Sequence, residues 1–151
     1  MTEHESGALE ADEVVIARFQ EILDQIPTLE GEFLRGLIGQ RQIRLTTDDS
    51  FMRIIRAGRS DGVVGFSVCH DPKTSSSKAV IAIDAKLFNS KGPRALEGQV
   101  RDISEKFYHN RAIAKRANLE WQFLEDSEVP TFLAEAATNR GNGYEVFNLT
   151  S

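Results

Sequence analysis

One cysteine, one tryptophan, two tyrosines and four prolines are all that 151 residues hold of those types, and each scarcity excludes something. With Cys69 alone there is no disulfide framework, and a reducing compartment is compatible. The three histidines, His4, His70 and His109, stand at no metal-ligand spacing with Cys69, which argues against a zinc site. No apolar run approaches the length of a membrane span. The first fourteen residues (MTEHESGALEADEV) contain no apolar core of a cleavable signal peptide. The expectation is a soluble chain acting in the cytoplasm of its own or a target cell, away from membranes. Internal repeats and low-complexity tracts are also missing, so the length fits one domain with a core that needs no staples.

What is present is a segregated charge pattern. Net charge is −5, yet residues 1–32 carry nine acids against Arg18, whereas residues 33–60 carry six arginines against Asp48 and Asp49. Residues 61–90 are balanced at three and three, residues 91–118 carry seven bases against three acids, and residues 119–151 carry six acids against Arg140. Two basic blocks therefore flank the middle of the chain. For a polyanion site this placement matters more than the overall sign, although two solvated mixed-charge surfaces would read the same way.

Helical spacing of Val15, Phe19, Ile22, Leu23 and Ile26 predicts an amphipathic helix over 8–26, ended by Pro27. Thr28 caps a second helix to about Gln40, with Leu29, Phe33, Leu34, Leu37 and Ile38 on one stripe. A first strand falls in 41–47 or 51–57. Residues 62–70 (GVVGFSVCH) and 79–88 (AVIAIDAKLF) predict a hairpin, turned by Asp71-Pro72-Lys73-Thr74 and the following serines. A helix stripe of Leu96, Val100, Ile103, Phe107 and Ala114 follows, running to about Asn118. Residues 119–124 read as a short strand, Pro130 opens a last helix, and 144–149 (YEVFNL) close the chain as a strand. The order is α-α-β-β-β-α-β-α-β.

The hairpin carries the chemistry. If Pro72-Lys73 is the loop, Asp61 lies across from Asp84, and alternation puts Asp61, Asp84 and Lys86 on one face. A wider loop centred between Thr74 and Ser75 keeps that face. Two carboxylates and an ammonium converging on strands suit a hard divalent cation. Phosphodiester hydrolysis needs such an ion, with a group to orient the attacking water. Asp61 and Asp84 would bind it, the Ala85 carbonyl is a natural third ligand, and Lys86 would contact the water and the phosphate. The tripeptide alone proves little: 23 acids and six lysines supply about one chance acid-x-Lys, and Asp71-Pro72-Lys73 is such a match. A same-face salt bridge would explain Asp84 and Lys86 equally simply.

The element order, with Ser60-Asp61-Gly62-Val63, Ile83-Asp84-Ala85-Lys86 and Leu119-Glu120-Trp121-Gln122-Phe123, resembles the restriction-endonuclease-fold, PD-(D/E)xK phosphodiesterases. It is similar in particular to the nuclease domains of bacterial polymorphic, type VI and contact-dependent toxins. The resemblance covers about residues 29–149. It implies an α/β fold with an αβββαβ core, a mixed central sheet flanked by helices, in residues 28–151, preceded by an acidic helical extension over 1–27. It implies Mg²⁺- or Mn²⁺-dependent cleavage of nucleic acid, DNA before RNA, and a cognate immunity protein as partner. By position Asp61, Asp84 and Lys86 match the catalytic trio, and Gln99 the helix glutamine. Glu30 rather than Glu32 matches the acid on the helix before the first strand, because it lies near the apolar stripe. Ser60 departs from the proline common in the superfamily.

Other readings remain open. A Cys69-His70 dyad is excluded by alternation, since adjacent strand residues face opposite sides. Gly36-Leu37-Ile38-Gly39 resembles a phosphate-clamping GxxG loop but lacks its flanking strands. Trp121 reads as core. The non-enzymatic alternative is an α/β module that binds a partner protein through its arginines, and an RNase of the same fold is a third.

Overall fold

The computed structural model describes residues 2–51, 53, 63–91 and 93–138. Helix α1 (Thr2–Asp24) and helix α2 (Leu29–Gly39) come first. Thr28 caps α2 through a hydrogen bond from the Gly31 amide to its hydroxyl, 3.0 Å. Strand β1 (Arg44–Thr46) follows, which selects the first of the two expected strand positions. Residues 51 and 53, within the second, are helical, as are 49 and 50 before it. Strands β2 (Val64–Asp71) and β3 (Ser76–Ile83) form the hairpin. Helices α3 (Ala85–Lys91) and α4 (Pro93–Arg116), strand β4 (Glu120–Trp121), a 3-10 turn (Asp126–Glu128) and helix α5 (Val129–Thr138) complete the described chain. The strand expected over 144–149 lies outside the described residues. None of the described helices is long and apolar enough to cross a membrane.

The molecule is α/β, with β3 at the centre of a small sheet. β2 pairs antiparallel with β3 along its whole length. β1 runs parallel to its second half (Arg44 with Val80, Thr46 with Ala82) and β4 parallel to its start (Ser76 with Glu120). Because β2 occupies one edge of β3, β1 and β4 share the other. Trp121 Nε1 ties them together by donating to the Gln42 carbonyl at 2.7 Å.

Alternation sorts the two faces as the sequence implies. Val64, Phe66 and Val68 with Ala79, Ile81 and Ile83 face a core closed by Phe19 and Leu23 of α1, Leu34 of α2, and Leu96, Val100 and Phe107 of α4. Each such large side chain contributes about 1.5–3 kcal/mol on burial, so the helices and sheet hold one another. The apolar stripe of α1 is part of this core. Leu29 is the exception among the expected stripe residues: it is 80% exposed. The second face is smaller; Cys69, Val80 and Ala82 pack there against Phe51, Leu124 and Phe132.

Two details of the hairpin differ from expectation. Asp71 pairs with Ser76, so the loop is Pro72–Ser75, centred between Lys73 and Thr74. Ser75 adopts a left-handed φ of 54° there, and the Asp71 side chain accepts from the Lys73 amide at 2.9 Å. This register sets Val63, not Asp61, opposite Asp84: the Asp84 amide donates to the Val63 carbonyl at 2.8 Å. The second strand also stops at Ile83 rather than running to Phe88. Asp84 ends it by capping α3: its carboxylate accepts from the Leu87 amide at 3.1 Å and its carbonyl from the Phe88 amide at 2.8 Å. Helical spacing then delivers Phe88 to the core beside Phe19, 6.5 Å between ring centroids, a placement that a continued strand would not give.

Candidate functional site

The parallel strands β1 and β3 end together, and open α/β sheets bind ligands outside such carboxyl ends. Asp84 stands there, half-buried, one residue beyond β3. Beside it runs the segment entering β2, at Val63, and Asp61, two residues earlier, lies outside the described residues. From α4 the Gln99 side chain reaches to the same place: its Oε1 accepts from the Val63 amide at 2.8 Å and the Val64 amide at 2.9 Å. The Asp84 backbone amide and the Gln99 side chain thus both hold the segment that leads out of Asp61. One further acid at this end was not singled out by sequence. Asp48 follows β1, exposed, and caps the helical residues after it by accepting from the Ser50 amide at 2.8 Å. An aspartate immediately after an expected strand was the signal for it.

The other expected residues are dispersed. Lys86 is exposed on the first turn of α3, so the helix and not a shared strand face relates it to Asp84. Ala85 opens the same helix, whose carbonyls point along its axis toward the C-terminus. Glu30 is half-buried in a hollow with Leu29, Phe33, Ser104, Glu105 and Tyr108. Ser104 lies five residues beyond Gln99, about 7.5 Å along α4. Glu32 is exposed. Among the described residues no three of His, Cys, Asp and Glu gather closely enough to hold a metal.

A different group of polar residues, unanticipated from sequence, is assembled inside the protein. His70 Nε2 donates to Asn110 Oδ1 at 2.8 Å, which in a neutral ring leaves Nδ1 to accept from the Ser77 hydroxyl at 2.8 Å. Asn110 Nδ2 in turn donates to the Lys106 carbonyl at 2.8 Å. Ser77, His70 and Asn110 are all buried. The order serine, histidine, amide resembles a nucleophilic triad, but no substrate can reach Ser77, so the network links β2, β3 and α4. Asn110 sits in the apolar stripe between Phe107 and Ala114, and that misplaced amide was the available signal.

Cys69 faces the opposite side of the sheet, as alternation requires. It borders a hollow of about 240 Å³ at the turn end of the hairpin, with Asp71, Ser76, Lys78, Glu128 and Phe132. Lys78 there pairs with Glu128 at 3.3 Å and donates to the Ser76 hydroxyl at 2.9 Å. Burial first, then the charges of Glu135 and Asp71, push the Cys69 thiol up to about 12, against a smaller pull from Lys78. A thiol so far from ionising at neutral pH is no nucleophile.

Neither a protein-family model, nor a curated protein, nor a solved structure matches the chain.

Proposed function

We propose that the chain is a metal-dependent nuclease with a restriction-endonuclease-like core, cleaving phosphodiester bonds of DNA at the carboxyl ends of β1 and β3. The observation that carries this reading is that the Asp84 backbone, at the carboxyl end of β3, and the Gln99 side chain both hold the segment leading out of Asp61. The order α2-β1-β2-β3-α4-β4 supports it, being the αβββαβ succession of that fold. So does the resemblance of Asp61, Asp84, Ala85 and Lys86 to the motif of bacterial toxin nucleases, which brings with it an antibacterial role and a cognate immunity protein.

Mg²⁺ or Mn²⁺ keeps several waters and accepts one or two carboxylates, so Asp84 with Asp61 is a sufficient side-chain set. The ion would supply charge neutralisation at the scissile phosphate and acidify a water. The Ala85 carbonyl would join only if the first turn of α3 opened. Lys86, free of the sheet, would meet the phosphate and the attacking water. Gln99 is a positioning residue, fixing the Val63–Val64 backbone and through it the approach of Asp61. Glu30 takes no part in this scheme.

One observation favours a second reading, the non-catalytic partner-binding module: the Asp84 carboxylate is already engaged in capping α3. Digestion of plasmid DNA and of tRNA in Mg²⁺ and Mn²⁺ separates the two. A nuclease degrades plasmid, prefers it to tRNA, and loses activity in Asp84→Asn and in Lys86→Ala. The reverse preference would make it an RNase of the same fold. Untouched nucleic acid, with no metal-induced rise in melting temperature, overturns the enzyme reading.

A further inference from the structure

Helix α4 changes character along its length. Its acids, Glu97, Asp102 and Glu105, all lie at or before residue 105; from residue 106 to 118 there is none, while Lys106, Arg111, Lys115 and Arg116 accumulate with His109. Arg111, Lys115 and Arg116 are exposed, and none forms an ion pair among the described residues. Elsewhere in the described chain Arg35, Arg41, Arg44, Arg53 and Lys78 each pair with an acid. Tyr108, one helical turn before Arg111, is 71% exposed. At 100° per residue Tyr108, Arg111 and Lys115 fall within about 60° of one another, on one strip, and Arg116 lies about 80° round the helix from Tyr108. Glu30 and Glu105 border Tyr108 toward α2, so the cationic field begins at Tyr108 and extends toward the helix end.

Compensation of the helix dipole accounts for Lys115 and Arg116, which lie in the last turn, but its reach stops short of Arg111. Nor does it explain an aromatic ring left in solvent beside the cations. Guanidinium and ammonium groups tracking a strip, with an exposed ring at its edge, are the elements of a surface for nucleic-acid strands: the cations take phosphates and the ring offers a base a stacking face. The net charge of the chain does not prevent this, because acids farther away than a Debye length of about 8 Å are screened at physiological salt.

We propose that Arg111, Lys115 and Arg116, with Tyr108, form a binding surface for single-stranded nucleic acid, separate from the candidate cleavage site. These cations lie 12–17 residues beyond Gln99, about 18–25 Å along α4, so they hold a strand at a distance from where it is cut. The choice of nucleic acid over another polyanion rests on the nuclease reading, whereas the presence of a polyanion surface does not.

The test is binding without cleavage. Fluorescence anisotropy of a labelled single strand of roughly 20 nucleotides is measured in EDTA across a salt series with wild-type protein. The triple variant R111A/K115A/R116A changes only exposed side chains. It is expected to bind about tenfold or more weakly, with the slope of log affinity against log salt flatter by about 2, as three lost phosphate contacts require. Tyr108→Ala should weaken binding about fivefold or more, with the salt slope unchanged. Absence of wild-type binding at low salt, or an unchanged slope in the triple variant, overturns the proposal. Displacement by polyglutamate as effective as by unlabelled oligonucleotide overturns the nucleic-acid assignment. Binding with no cleavage under any metal would refute the nuclease reading and leave this surface standing, and cleavage with unaltered binding in the triple variant would do the opposite.

Discussion

Gln99 Oε1 accepts from two successive backbone amides, Val63 at 2.8 Å and Val64 at 2.9 Å, so one side chain of α4 closes the open end of strand β2. Val63 and Val64 are both buried. Truncation would strand two amides away from water, and each such loss costs about 1–3 kcal/mol. Gln99→Ala is therefore expected to destabilise the protein by about 2–6 kcal/mol, read as a lower urea midpoint. Gln99→Glu keeps the acceptor and should recover more than half of that loss. Equal midpoints for the two variants would show that the acceptor does not matter.

Asp84 offers a way to separate stability from chemistry. As cap of α3 it contributes about 1 kcal/mol, and asparagine caps as well as aspartate. Asp84→Ala should lose about that much in urea denaturation, while Asp84→Asn should stay within a few tenths of wild type. Asparagine nevertheless removes the negative charge that a divalent cation needs. A nuclease thus predicts an Asp84→Asn protein that is stable and inactive. Lys86, exposed and unconnected to the core, should change stability by less than about 0.5 kcal/mol in Lys86→Ala.

How much of this was legible in the sequence follows from what periodicity encodes. Stripes such as Val15-Phe19-Leu23 and Leu96-Val100-Phe107 carry their burial in their spacing, and the structure buries them all. In the expected strand 62–70 the alternate positions Val64, Phe66 and Val68 share a face by a period of two, which survives any even shift in register. The loop centre did not share that robustness: it moved by one residue, and Asp84 exchanged Asp61 for Val63 as its opposite. The end of β3 was hidden for a different reason. The run AVIAIDAKLF is as good a strand as a strand, cap and helix, and only the packing of Phe88 against Phe19 decides between them. Leu29 was misjudged because it begins α2, where a helix end has no neighbour to cover it. The His70 network was invisible because its members are 33 residues apart in α4 and β3, and only the hairpin register and the α4 contact bring them together.

That network makes its own prediction. Asn110 Oδ1 holds His70 Nε2, and Ser77 holds Nδ1, in a region with no access to water. Asn110→Ala leaves the imidazole N–H and the Lys106 carbonyl without this partner, and should cost about 2–4 kcal/mol. Ser77→Ala removes one neutral hydrogen bond and should cost about 1–2 kcal/mol. Because both residues act through His70, the double variant should lose less than the sum of the two. Thermal or urea unfolding of the four proteins in the cycle checks this, and strict additivity would mean that the two bonds are independent.

Cys69 predicts a pH dependence with a definite sign. Its thiol is pushed up to about 12 in the folded protein, from an ordinary 9.0, chiefly by burial and then by Glu135 and Asp71. A raised value means that the unfolded chain releases its proton first. Below pH 9 both states hold the proton, and the thiol adds nothing to the slope. Between about pH 9 and pH 12 only the unfolded chain is ionised, so stability falls by about 1.4 kcal/mol per pH unit on account of this residue. Cys69→Ala lacks the titration. Its stability relative to wild type should be constant from pH 6 to pH 8.5, and should then improve steadily as pH rises, which urea unfolding at pH 8 and pH 10 measures directly. Comparing the two proteins cancels the lysines and tyrosines that ionise in the same range. A gap that does not change between those pH values would mean that the folded thiol ionises as readily as the unfolded one, and that the carboxylates of Asp71 and Glu135 do not act on Cys69.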